Sequence, residues 1–264
     1  MSSSSIQSWF HKASVAMSAG NYERAVRCAE NGIAAEPNNA LAYYYLAESL
    51  RQLDRERDAL PHFCRALELD PCHASSFVGL AYVHLELKSY DQGVEAANSA
   101  IELAPTNSGA HAVLAYLLVY ALRPREAIEA ADAALALNPR NVNALNAKGN
   151  ALSRLSRNAE AEQCYLQSLA IMPEHVESLT NLGLVQRGSG RRKSAVNTLK
   201  TALRVDANYS SARELLLNSS WREAWQYYRS VPEFVFYKVL LQYWLFWVAV
   251  ITLAFLVIKD SYFR

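Results

Sequence analysis

The chain has 264 residues, 52% of them hydrophobic and 19% charged, with a formal net charge of +1. That length supports a sizeable buried core in one or two domains, and the composition is too apolar and too evenly charged for a disordered chain. The near-neutral balance excludes the global basic footprint of a nucleic-acid binder, and only 9 Gly and 8 Pro argue against a loop-rich all-β fold.

Residues 1–5 carry neither a positive region nor an apolar stretch. They are expected to be disordered, and with no secretory signal the bulk that follows is expected to stay on the side where it is made. Four cysteines, Cys28, Cys64, Cys72 and Cys164, are scattered without metal or CxxC spacing. They read as free thiols of a reducing compartment.

From Ile6 onward a repeat dominates. Prolines stand at Pro37, Pro71, Pro105, Pro139 and Pro173, each 34 residues after the last, and the next slot is Ala207. The register divides the chain into six units, 6–39, 40–73, 74–107, 108–141, 142–175 and 176–209. Small residues recur inside them: Ala47, Ala59 and Ala66; Ala81 and Ala100; Ala115, Ala127 and Ala134; Gly149 and Ala161; Gly183, Ala195 and Ala202. Larger apolar residues, among them Tyr43, Leu46, Phe63, Phe77, Leu80, Leu114, Tyr165 and Leu182, fill the alternating places. Small residues at fixed spacing let two helices approach closely, and a proline ends the second helix of each unit. Lys12 and Gly32 make the first unit atypical, as a terminal unit facing water is expected to be.

In these residues the chain resembles the tetratricopeptide repeat (TPR) family. The resemblance implies an all-α superhelical solenoid of six helix-turn-helix repeats, right-handed, whose first helices line a concave surface that holds protein segments. Carried onto this sequence, the concave positions include Phe10, Tyr44, Tyr45, Tyr82, Tyr116 and Tyr120 in the first four repeats. In the last two they include Asn146, Asn150, Arg154, Asn181 and Arg187. Tyrosines give amphipathic contact area at small entropic cost, and asparagines pair with a peptide backbone in both directions, so an extended peptide is the expected partner. The tyrosines alternatively pack between neighbouring helices, and the asparagines alternatively form a solvated face. The carboxylate clamp of some TPR co-chaperones is not expected: Asn146, Asn150 and Asn181 occupy three of its places, but Ser211 and Leu215 stand where two cations are needed.

Beyond the repeats, residues 210–218 read as a capping helix. Residues 219–232 alternate Trp221, Trp225 and Tyr228 with Arg222 and Arg229, the pattern of an amphipathic helix at a membrane surface. Residues 236–258 are expected to be a transmembrane helix, because the 20 residues from Val239 to Ile258 carry no charge and match the thickness of the hydrocarbon core. Lys238 and Lys259 bracket that run, Trp244 and Trp247 add interfacial aromatics, and residues 259–264 form a short tail. Arg191, Arg192 and Lys193, in an acid-free stretch of the sixth repeat, are candidates for a basic patch on anionic headgroups. The chain is thus expected to be single-pass and tail-anchored, with the repeats on the cytosolic side.

No phosphate-binding loop, HExxH or nucleophile elbow is present, and the six histidines are dispersed. No enzymatic activity, cofactor, metal or nucleic-acid partner is expected. The sequence reads as a membrane-anchored adaptor that binds a protein segment in its groove, or alternatively as an assembly subunit of a membrane complex recognised through its transmembrane helix.

Overall fold

Proline and its predecessor set the period of the chain. Glu36, Asp70, Ala104, Asn138 and Met172 each precede a repeat proline, and all five adopt extended backbone with φ between −142° and −131°. Clash with the proline ring disfavours helical geometry there, which helps to end one helix in each of these repeats at the same place. Leu60 before Pro61 nevertheless stays helical within a helix, and Asp206 before Ala207 is equally extended with no proline. The computed structural model describes residues 3–218, with side chains from residue 9 onward. Among them run thirteen α-helices. Each hairpin is opened by one of α1 (Ser3–Ser18), α3 (Ala40–Arg51), α5 (Ala74–Glu86), α7 (Ser108–Tyr120), α9 (Val142–Arg154) and α11 (Val176–Gly188). Each is closed by one of α2 (Tyr22–Ala35), α4 (Glu56–Leu69), α6 (Tyr90–Leu103), α8 (Pro124–Leu137), α10 (Asn158–Ile171) and α12 (Arg192–Val205), and α13 (Ser210–Leu217) covers the last hairpin. The fold is an all-α solenoid of about six hairpin repeats plus a cap.

Two further recurrences shape the hairpins. Asn39, Asn107, Asn141 and His175 each accept a backbone N–H at the start of an opening helix, satisfying donors that the first turn leaves unpaired. Within each hairpin the turn passes through one left-handed residue, at Gly20, Asp54, Lys88, Leu122, Ser156 and Gly190, with φ from 56° to 77°. Only two of the six are glycine, although a side chain in that region costs about 1–2 kcal/mol.

The repeat alanines do the close packing. Ala47, Ala59, Ala66, Ala81, Ala100, Ala115, Ala127, Ala134, Ala161, Ala195 and Ala202 are all fully buried. Where an aromatic meets the neighbouring backbone even a methyl group is too large: a Cβ on Gly149 would fall 2.5 Å from the Tyr165 ring, and one on Gly79 would fall 2.3 Å from that of Phe63. Each closing helix packs on its own partner and on the next opening helix, while successive opening helices also touch one another. The stack is therefore tightest on the opening-helix side, which makes that side concave.

The helical stretch begins earlier than expected. Residues 3–5, expected to be disordered, belong to α1, because neither glycine nor proline interrupts the chain between Ser3 and Ser18. The expected amphipathic helix 219–232, transmembrane helix 236–258 and tail 259–264, with Trp221, Trp225, Lys238, Trp244, Trp247 and Lys259, lie outside the described residues. Among the described residues no helix is long and apolar enough to cross a membrane.

Candidate partner-binding groove

The inward faces of the opening helices form one surface, which bears a concavity at the third to sixth repeats. There a pocket of about 390 Å³ opens between α5, α7 and α11. Tyr82, Tyr116 and Tyr120 form its aromatic side, joined by Tyr90 at the start of α6 and by Tyr209 just before the cap. Tyr90 and Tyr120 stack with ring centroids 5.6 Å apart and planes inclined by 15°, fixing each other at the pocket's side. Two carboxylates, Glu86 and Glu177, complete the lining, with Lys88 on the intervening turn and Asn143 at the edge.

The carboxylates are held in an unusual state for a surface that meets water. Burial raises the Glu177 carboxyl above its ordinary range, the like charge of Glu86 adds to the rise, and hydrogen bonds from Tyr116, Asn150 and Asn146 only moderate it. Glu86 is raised as well, chiefly by burial and then by Glu56. Among the described residues neither takes part in an ion pair, whereas Glu48, Glu126, Glu160 and Glu162 all do.

Behind the pocket the expected amide ladder is tied into a knot. Asn181 Nδ2 donates to Asn150 Oδ1 at 2.8 Å and to Asn146 Oδ1 at 3.3 Å, and the Tyr165 hydroxyl donates to Asn150 Oδ1 at 2.7 Å. Asn146 Nδ2 donates to the Tyr116 oxygen at 2.8 Å, and that hydroxyl in turn donates to Glu177 Oε2 at 3.1 Å. Asn146 is fully buried and Tyr116 retains 6% exposure. Both are therefore corrected from partner contacts to supports: five opening-helix side chains and one closing-helix tyrosine consume the polar groups that a peptide backbone would need.

The first repeats show the same tendency. Phe10 stacks on Tyr45 at 6.4 Å and lies over Gly32, while Tyr44 packs against Tyr45, Phe63 and His73 at 4.8–6.3 Å. Burial pushes the Tyr44 hydroxyl up to about 12. Phe10, Tyr44 and Tyr45 thus serve mainly inter-helix packing while keeping one half-exposed edge each. A smaller cavity of about 160 Å³ follows along the groove between Tyr44 and Tyr82. There Arg51 is neutralised by Glu48 and lies 5.0 Å over the Tyr82 ring. Arg154 lies 6.0 Å over Tyr120 on the exposed rim, and Arg187 is half-buried further along α11.

Of the three bases expected to form a patch, Arg191 is otherwise engaged: its guanidinium pairs with both oxygens of Glu162 in α10, tying the fifth repeat to the sixth. Arg192 and Lys193 are exposed. Glu86 and Glu177 also occupy concave positions of their repeats, but selecting aromatics and amides along those positions hides the acids between them. Tyr90 and Tyr209 lie off the opening helices and carry no such signal in the sequence. Among the described residues no group of acids, histidines or cysteines is arranged to hold a metal, and the four cysteines are free.

A helical-hairpin solenoid with an open concave groove defines a class of interaction scaffolds. Tetratricopeptide repeat models match residues 10–71, 57–108 and 140–208, and the chain is a tetratricopeptide repeat protein, a protein–protein interaction scaffold. Its fold is similar to a chain of the APC/C hetero-tetramer Cut9-Hcn1, with TM-score 0.74 and 18% identity over 81% of this chain; the match spans 42% of that longer chain. It is also similar to pilF of Pseudomonas aeruginosa, with TM-score 0.64 and 18% identity over 81% of this chain and 97% of that one. TTC0263, a TPR protein of Thermus thermophilus, aligns with TM-score 0.63 and 22% identity over 68% of this chain and 98% of that one. At these identities the likeness concerns the fold. No curated protein matches the chain in sequence.

Proposed function

We propose that the protein is a membrane-anchored adaptor that captures a protein segment in the concave groove and concentrates it at a bilayer. The observation that carries the groove reading is the tyrosine-walled pocket of about 390 Å³, open on the concave side and built by side chains from α5, α6, α7, α9 and α11 together with Lys88 and Tyr209. Specific partners anchor through a few buried contacts in such concavities rather than through broad area. Anchoring is supported by the uncharged run from Val239 to Ile258 between Lys238 and Lys259, and by exposed Arg192 and Lys193 in the repeat nearest to it. Confinement to a surface raises the effective concentration of partners in the same membrane without any added contact.

Affinity capture from detergent-solubilised membranes tests the groove: a Tyr90→Ala/Tyr120→Ala variant is expected to lose the partners of the wild type, and retention of all of them refutes groove binding. For the anchor, a chain ending at Ser230 is expected to leave the membrane fraction on high-salt washing, while the full chain stays. Exchange of residues 239–258 for an unrelated apolar helix separates this reading from an assembly subunit, whose partners depart with the native span.

A further inference from the structure

The central pocket combines three features that point to one kind of group. It is lined by Tyr82, Tyr90, Tyr116, Tyr120 and Tyr209, residues whose rings and hydroxyl oxygens attract cations. Glu86 and Glu177 sit inside with no ion-pair partner among the described residues, and only Lys88 brings a positive charge to the lining. The chain already lays guanidinium groups over two of these rings, Arg51 at 5.0 Å from the Tyr82 centroid and Arg154 at 6.0 Å from the Tyr120 centroid. Burying carboxylates without partners is unfavourable, and Tyr116 together with Asn146 holds one of them in place.

Resting on the reading that the groove takes a protein segment, we propose that this pocket receives a cationic side chain, lysine or arginine, of that segment. The aliphatic stem lies along the Tyr90–Tyr120 pair, and the charged head reaches Glu177 and Glu86. A charge-assisted hydrogen bond in a half-buried pocket is worth about tenfold or more in affinity. The volume of about 390 Å³ accommodates such a side chain and excludes a folded element. Asn146, outside the lining, is a positioning residue that acts on Glu177 through Tyr116, whereas Tyr116 both lines the pocket and donates to Glu177.

The test is selection of a random displayed peptide library on the full chain in detergent, alongside Glu177→Gln, Glu86→Gln and Tyr120→Ala variants whose folding is checked by thermal unfolding. The expected result is enrichment of peptides with lysine or arginine at one fixed position. Replacing that residue by norleucine, or using Glu177→Gln, is expected to weaken binding about tenfold or more, while Tyr120→Ala weakens every selected peptide. Selected peptides without a basic residue, or with affinity unchanged in Glu177→Gln, overturn the cation assignment and leave groove binding standing. Failure to select any peptide overturns both. Selection only after Arg222→Gln and Arg229→Gln replaces the partner with this chain's own C-terminal segment as occupant.

Discussion

Along α9 and α11 the amides of Asn146, Asn150 and Asn181 face one another and close their hydrogen bonds internally. On the same α11, Glu177 faces an open pocket together with Glu86 of α5. Neither forms an ion pair among the described residues; Lys88 is the cation in the pocket lining, and the charge of Arg51 acts on Glu86. The two regions belong to the same concave surface and are joined through the Tyr116 oxygen, which accepts from Asn146 and donates to Glu177, and through the hydrogen bonding of Asn150 and Asn146 to Glu177. Satisfied buried polarity fixes geometry, whereas polarity left facing a cavity is available to a ligand. The amide region therefore reads as the frame and the acidic region as the place of contact.

That division predicts a graded set of effects. Asn146→Ala removes the centre of the frame and strands the Tyr116 and Asn181 groups; a loss of about 2–3 kcal/mol in urea unfolding is expected. A loss well below about 1 kcal/mol would mean that the knot rearranges and is not a frame. Tyr116→Phe cuts the link while keeping the ring, with an expected loss of about 1–2 kcal/mol and weaker binding of basic peptides.

Glu177→Gln is expected to act in the opposite direction on stability. Because burial raises this carboxyl above its ordinary 4.5, the folded chain holds the proton more tightly than the unfolded chain. Stability therefore falls as pH rises through the interval between those two values, and the full loss is present above it. The variant should match the wild type near about pH 4 and exceed it near about pH 7 in denaturant midpoint, even as it loses cation binding. Equal midpoints at both values would remove Glu177 from the class of strained functional groups. The smallest effect belongs to Arg191→Ala, which breaks an exposed inter-repeat pair and should leave the unfolding midpoint within scatter.

The repeat architecture was legible because two devices recur: prolines follow the closing helices at a 34-residue spacing, and small residues vanish into the core. The caps at Asn39, Asn107, Asn141 and His175 were less legible, since the residue type changes along the chain. The groove was less legible, since a concave position says only which way a side chain points. Whether Tyr116 meets a partner or Asn146 and Glu177 depends on what stands one and two repeats later, and these contacts span 30 and 61 residues of sequence. Similarly, Arg191 looks like its neighbours Arg192 and Lys193 until Glu162, 29 residues earlier, is found beside it. Phe10 and Tyr44 illustrate the converse, with aromatics that suit a partner being used to join helices.

The left-handed turn residues have a consequence for how such a protein changes over time. At Asp54, Lys88, Leu122 and Ser156 the backbone favours glycine, yet four chemically different side chains occupy the position. Leu122 is 72% exposed, so burial in the core does not reward it there. Each of these sites holds back about 1 kcal/mol that a single change to glycine would release in part, and the sites lie far enough apart to add. In a stack whose stability is roughly the sum of its repeats, they act as independent dials on the rigidity of each unit, set at the outer bends. Lys88 lines the central pocket, and Lys88 and Leu122 both line the neighbouring concavity beside Tyr90 and Tyr120, so at these two positions turning the dial also alters what the surface can hold.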